Sequence, residues 1–149
     1  MKNKQLPLLI IFAIMLSSCS DKLNLSSLEG KYAGFFYHIP PGETKTVKSQ
    51  AEINVDLRGT DFSAGKAPDR IPAGGSGKFT ILNQKEVEFK DNNIWTADFD
   101  WNLVLNGRYK YEHVNDSLIL TRKFESCTTC EIKPGMMPGS YQYRLKRVN

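Results

Sequence analysis

Beyond residue 28 the chain shows almost no helical spacing of apolar residues. Short runs rich in Tyr, Phe, Val, Ile and Trp instead alternate one by one with polar residues, and turn residues separate the runs. A period of two lines up every second side chain on one face of a strand, so each run must bury that face against its fellows. Eight stretches have this form: 30–38, 47–57, 77–83, 85–90, 94–99, 103–113, 117–124 and 140–148. Pro40, Pro41 and Gly42 stop the first run, Asp91, Asn92 and Asn93 suit a tight turn, and Asn115 and Asp116 tolerate the left-handed conformation that two-residue hairpins demand. Asn83 and Gln84 mark a weaker break. Residues 58–76 read as the longest loop. A phosphate-cradling reading of the glycines around it fails, because Pro72 stands where the first Gly belongs and Phe79 follows Lys78. Eight short strands with hairpin-length links predict an all-β fold, an eight-stranded antiparallel up-and-down barrel that removes exposed sheet edges by closure.

Alternation also assigns the interior. It puts Tyr32, Gly34, Phe36 and His38 inward on the first strand, and Ala51, Ile53, Val55 and Leu57 on the second. Val87 and Phe89 follow on the fourth, with Trp95, Ala97 and Phe99 on the fifth. The last three strands contribute Leu103, Leu105, Gly107, Tyr109, Tyr111 and His113, then Leu118, Leu120, Arg122 and Phe124, then Tyr141, Tyr143, Leu145 and Arg147. Two arginines on inward registers call for an explanation, since a buried charge without a partner is costly.

The first residues have a different character. Lys2 and Lys4 precede an apolar run from Leu6 to Leu16, and small residues follow at Ser17 and Ser18. Crossing a bilayer as a helix takes about 20 apolar residues, so this shorter run reads as a cleaved leader. The residues Leu16, Ser17, Ser18 and Cys19 resemble the lipobox of bacterial lipoproteins. That resemblance implies cleavage before Cys19 and acylation of Cys19 on its sulfur, with its new amino group as a further acylation site. Two or three chains, each contributing about 0.8 kcal/mol per buried methylene, hold a protein on a membrane far more firmly than one. The expected organisation is a signal peptide over 1–18, an acylated cysteine and polar tether over 19–28, and a single domain over 29–149. Ser20, not Asp, follows the cysteine, which in such lipoproteins goes with transfer to the outer membrane.

Lys2 and Lys4 leave with the leader, so 18 of the 20 basic residues remain against 16 acidic ones. This near balance gives no case for nucleic acid. The excess that exists lies beyond Leu105, on the last strands, where a solvated face explains it.

The barrel segment resembles the small lipocalin-like lipoproteins of Bacteroidota, through Gly30 and Tyr32 in the opening strand, "WTADFDW", "LNGRYKY", "DSLILTR" and the closing "YQYRL". Tyr32 stands where classical lipocalins carry Trp. In such a barrel the last strand ends beside the start of the first, which brings Arg147 to Tyr32. This is similar to the lipocalin arrangement in which a late Arg packs on the opening aromatic and closes one end. Arg122 falls at the opposite rim, with His38. A mouth holding that Arg and His, walled by Phe36, Trp95, Tyr109 and Tyr111, would take a small apolar or amphipathic molecule with an anionic head. The competing expectation for Arg122 is that it turns out to water or pairs with Glu125.

Cys127 and Cys130 lie in the long link before the last strand. Outside the cytoplasm two thiols three residues apart tend to oxidise, and a local disulfide is expected, stabilising by only about 2 kcal/mol in so small a loop. A redox role would want the pair opening a helix beside a parallel sheet. Metal binding would need two more ligands, and His38 and His113 fall at opposite ends of the barrel. Glu131, where covalent haem would need His, excludes the usual haem attachment. No Gly-x-Ser-x-Gly elbow is present, and Glu86, Glu88, Asp98 and Asp100 alternate opposite the apolar faces. The expectation is a non-enzymatic, lipid-anchored envelope protein without metal or cofactor, holding a small apolar or amphipathic ligand. The alternatives are a filled barrel acting as a protein-interaction module, an inhibitor or accessory subunit, and a stress or metal sensor using the cysteine pair.

Overall fold

The computed structural model describes residues 28–39, 49–96, 100–124 and 139–149. Eight strands make up the fold: β1 Gly30–Ile39, β2 Ser49–Arg58, β3 Asp61–Ala64, β4 Gly75–Asn83, β5 Glu86–Asp91, β6 Gly107–Val114, β7 Ser117–Arg122 and β8 Ser140–Val148. Each pairs antiparallel with the next, and β8 returns to β1, so the sheet is a closed up-and-down barrel. The long β1 carries the closure, running opposite β2 from Gly30↔Leu57 to His38↔Ser49 and opposite β8 from Lys31↔Val148 to Ile39↔Ser140. One end, called lower here, holds Gly30, Arg58 and Arg147. The upper end holds His38, Asp91, Gly107 and Arg122.

Two elements differ from the sequence expectation. The loop expected over 58–76 contains β3, whose Phe62 and Ala64 point inward while Asp61 and Ser63 face out. Its four residues were hidden between the Gly59–Thr60 turn and a polar, proline-containing stretch. The strand expected over 94–99 is not formed in its described part: residues 92–96 are loop, and 97–99 lie outside the described residues. Asp91 is the physical reason. Its carboxylate takes the Asn93 backbone N–H at 3.1 Å and the Trp95 indole N–H at 2.6 Å, which folds the chain back on itself instead of letting it extend. The sixth run also begins late, because Trp101–Leu103 form a short 3-10 turn capped by Asp100, whose side chain accepts the Asn102 N–H.

Hairpin chemistry elsewhere follows the residue types. Asn115 sits at φ 53 in the β6–β7 turn, and Asn83 Oδ1 accepts the Lys85 N–H at 2.9 Å in the β4–β5 turn. The break at Asn83 and Gln84 is therefore a full hairpin, with a register shift between Ile81 and Asn83.

The barrel interior is lined by aromatic rings in contact. Phe62 meets Phe89 edge-on at 5.1 Å, Phe89 meets Tyr109 edge-on at 5.6 Å, Tyr109 meets Tyr143 at 6.1 Å, and Tyr143 meets Phe36 at 4.8 Å. This belt of rings runs round the inner wall from β3 by way of β5, β6 and β8 to β1. Each such pair adds about 1 kcal/mol beyond the area it buries, and together they tie strands that are paired or one apart. The outer wall carries ion pairs, Arg58–Asp56, Lys78–Asp61, Arg108–Glu88 and Lys123–Glu86. A wall of this composition suits water and not acyl chains.

Candidate functional site

Both barrel ends are stoppered by an arginine on a tyrosine. At the lower end the Arg147 guanidinium lies 5.5 Å from the Tyr32 ring centroid and donates from Nη2 to the Tyr32 hydroxyl at 3.0 Å. That hydroxyl donates in turn to the Leu28 carbonyl at 3.0 Å, and Leu28 is fully buried. The segment preceding the barrel therefore meets it at this end. His113 also lies here, its pKa lowered by burial and by the Arg147 charge, against a smaller opposing pull from Asp116.

At the upper end Arg122 turns inward. Its Nη1 donates to the Asn106 carbonyl at 2.5 Å, to the Tyr109 hydroxyl at 3.1 Å and more weakly to the Val104 carbonyl at 3.4 Å. Its guanidinium sits 5.7 Å from the centroids of both Tyr109 and Phe124. Its side chain turns inward and not to water, and among the described residues no carboxylate pairs with it; the expected pairing with Glu125 lies outside the described residues. The guanidinium is engaged by protein carbonyls and is not a free cation at an open mouth. Close by, the Tyr143 hydroxyl is fully buried with no hydrogen-bond partner among the described residues, and burial pushes its pKa well up. Tyr141 donates to Asp100 Oδ2 at 3.0 Å, and burial together with the Asp100 charge pushes its pKa up to about 12.

The ligand-site residues expected from sequence take different places in the fold. Phe36 and Tyr109 are wholly buried members of the ring chain. His38 packs against Tyr141 at 4.8 Å between centroids, near Arg122's end of the barrel. Tyr111 lies one inward register further down β6 and donates its hydroxyl to the Asn83 carbonyl at 3.3 Å. Trp95 is on the upper loop, not on a barrel strand, which corrects its placement on an inward strand face. Cys19, Cys127 and Cys130, with the lipid attachment and disulfide expected of them, lie outside the described residues.

What alternation missed is the crown of loops over the upper end. Asp91 organises it, accepting from Ser76 N–H at 2.7 Å and Asn93 Nδ2 at 2.6 Å besides the two bonds above, while its own N–H goes to Asn106 Oδ1 at 3.0 Å. The 65–74 loop is tied down through Ala73 N–H to the Leu103 carbonyl and Leu105 N–H to the Gly74 carbonyl. Gly74, at φ +84, could carry no side chain, since a Cβ would stand 2.6 Å from the Ala64 carbonyl oxygen. Above this rigid base, Ile94 is 100% exposed and Trp101 53% exposed. A cleft of about 250 Å³ opens between Lys66, Arg70, Ala73, Ile94, Trp95 and Thr96. The only sequence signal for the crown was the Asp91–Asn92–Asn93 turn signature.

Fold and site together define a small closed up-and-down β-barrel with a buried, ring-lined interior, stoppered at both ends and crowned by loops with exposed apolar tips. No protein-family model matches the chain, and neither a curated protein nor a solved structure matches it significantly. Among the described residues no helix is long and apolar enough to cross a membrane, and no cluster of three or more His, Cys, Asp or Glu side chains offers a metal site.

Proposed function

We propose that the protein is a lipid-anchored accessory module of the cell envelope, a non-enzymatic barrel that binds another protein through its upper loops. The observation that carries this reading is the burial of the inward side chains Phe36, Phe89, Tyr109, Leu118, Leu120 and Tyr143, which leaves little of the space a carrier would reserve for cargo. Two features support it. The exposed apolar side chains Ile94 and Trp101 stand over the packed interior. Leu28, where the expected tether ends, is buried at the lower end, so in this reading a domain held by Cys19 turns its crown away from the lipid. Ser20 after the cysteine directs the anchor to the outer membrane in this reading.

The small-ligand reading keeps one supporting observation, the unpartnered buried hydroxyl of Tyr143 beside Arg122, which a polar ligand atom would satisfy. Native mass spectrometry of the full-length protein released gently from its own membranes separates the two. The module reading expects the mass of the chain from Cys19 onward plus its acyl groups, with no small non-covalent passenger. A reproducible passenger of a few hundred daltons overturns it in favour of a carrier.

A further inference from the structure

We infer that the cleft between the 65–73 and 92–96 loops docks an acidic segment of a partner protein, with carboxylates beside an apolar side chain. The inference rests on the module reading and names the chemistry of its partner.

Four cations of the barrel wall are matched, Arg58 with Asp56, Lys78 with Asp61, Arg108 with Glu88 and Lys123 with Glu86. The two cations of the cleft are not. Lys66 and Arg70 both line the cleft, both are exposed, and neither has a carboxylate partner among the described residues. The acids nearby accept from uncharged donors. Asp69 Oδ1 accepts the Ile71 N–H at 3.0 Å, Asp91 accepts four donors, and Asp100 accepts the Asn102 N–H and the Tyr141 hydroxyl. None of these acids lines the cleft, whose two charged lining side chains are both cations, so its complement is negative.

The cleft is also apolar. Ile94 stands free in water at the lip, with half-buried Trp95 and buried Ala73 below it. Trp, Ile and Arg within one small concavity form the kind of anchor that interfaces use, an apolar contact ringed by charge. An inorganic anion would use the cations and leave Ile94 wet, whereas a peptide segment satisfies both. The loop is also set in advance. Ala67 N–H donates to the Pro72 carbonyl at 3.0 Å, Arg70 N–H to the Ala67 carbonyl at 2.9 Å, and Ala73 N–H to Leu103 at 3.0 Å. Arg70 itself is held at φ 61, a left-handed conformation rare for a residue with a side chain and seen where a loop must present a group in one place. Little order remains to be imposed on binding.

The experiment uses the full-length protein in detergent micelles and a fluorescein-labelled hexapeptide alternating glutamate and leucine, followed by anisotropy. Controls are the same peptide with glutamine for glutamate, and vesicles of phosphatidylglycerol in phosphatidylcholine. Saturable binding of the glutamate peptide is expected, at least tenfold weaker for the glutamine peptide, for Lys66→Glu/Arg70→Glu and for Ile94→Asp. These side chains are exposed, so the melting temperature should hold in each variant. Equal affinity for the two peptides, or variants that bind as the wild type does, overturns the inference. So does loss confined to vesicle binding, which would make the crown a membrane contact. Absence of peptide binding with no small passenger in the native mass spectrum overturns the cleft's assignment alone. The same absence with a passenger present overturns the module reading as well.

Discussion

Arg122 and Tyr109 stand to each other at the upper end of the barrel as Arg147 and Tyr32 do at the lower. In each pair the guanidinium lies over the ring, 5.7 Å and 5.5 Å from its centroid, and donates to the hydroxyl of that same tyrosine, at 3.1 Å and 3.0 Å. In both pairs the apolar ring takes the flat face and the hydroxyl takes an N–H. Carbonyls take further N–H bonds only at Arg122, whereas the Arg147 Nε is buried without a hydrogen-bond partner among the described residues. The Asn106 and Val104 carbonyls make the upper stopper the base of the crown.

Arg122→Ala should therefore destabilise the barrel by about 2 kcal/mol, since it leaves the Asn106 carbonyl and the Tyr109 hydroxyl without a charged donor. Arg122→Lys should recover only part, because one ammonium cannot span the carbonyls and stack on both rings. Urea unfolding of the three proteins decides the matter; equal midpoints would mean that the guanidinium contributes nothing to closure.

Asp91→Ala is expected to loosen the crown while the barrel stays folded. The change strips an acceptor from Ser76, Asn93 and Trp95 at once, at a cost of about 2 kcal/mol. Trp95 should become easier to quench with iodide, and Asp91→Asn should fall between. A quenching constant identical to the wild type would show that Trp95 is held by something other than this carboxylate.

Gly34 permits the close approach of β1 to β8. A Cβ there would lie 2.1 Å from the Arg144 carbonyl oxygen and 2.9 Å from the Leu145 Cα, both backbone atoms that have nowhere to go. Gly34→Ala should destabilise by about 3 kcal/mol or more, by forcing the closing strands apart. Thermal unfolding that is unchanged in this variant would be incompatible with the β1–β8 register.

The tyrosine hydroxyls govern stability in alkali. Burial raises the pKa of Tyr109, Tyr141 and Tyr143 above the ordinary value of 10.0, Tyr141 to about 12. The unfolded chain gives up these protons from pH 10 upward while the folded chain keeps them. Their contribution is therefore complete below pH 10 and is lost as pH rises from there through about 12. Denaturation midpoints measured from pH 8 to 12 should be level and then fall, and Tyr141→Phe should soften the fall. A midpoint that holds to pH 12 in the wild type would contradict the burial of these groups.

His113 works in the opposite direction at the lower end. Its pKa is lowered from 6.5 by burial and by Arg147, so the unfolded chain takes up a proton near 6.5 that the folded chain resists. The stability this confers is present above pH 6.5 and declines as pH falls through that value towards the folded pKa. Removing the positive charge in Arg147→Gln should bring the His113 midpoint, read by NMR of the ring protons, back towards 6.5. An unmoved midpoint would leave burial as the sole cause.

Eight alternating runs with short links were enough to specify an eight-stranded closed barrel and the inward faces of β1, β2 and β5 to β8, because a period of two is a local property that each strand displays by itself. Tyr32, Phe36, Ile53, Val55, Phe89, Tyr109, Leu118, Tyr143 and Leu145 all fall on the buried face that it assigns. The length of β3 and the loss of a strand at Ile94 and Trp95 were decided elsewhere. β3 exists because its four residues find β2 and β4 on either side, and no four-residue run shows this from within. The 92–96 loop exists because Asp91 gathers donors from Ser76, 15 residues earlier, as well as from its own neighbours. The fate of Arg122 was likewise a tertiary matter: alternation turned it inward, but only the arrival of the Asn106 carbonyl and the Tyr109 hydroxyl decided that it would serve as a stopper. Lys66 and Arg70 came together with Ile94 and Trp95 for the same reason. Side-chain periodicity is written in the chain, whereas the partners of a charge are chosen in space.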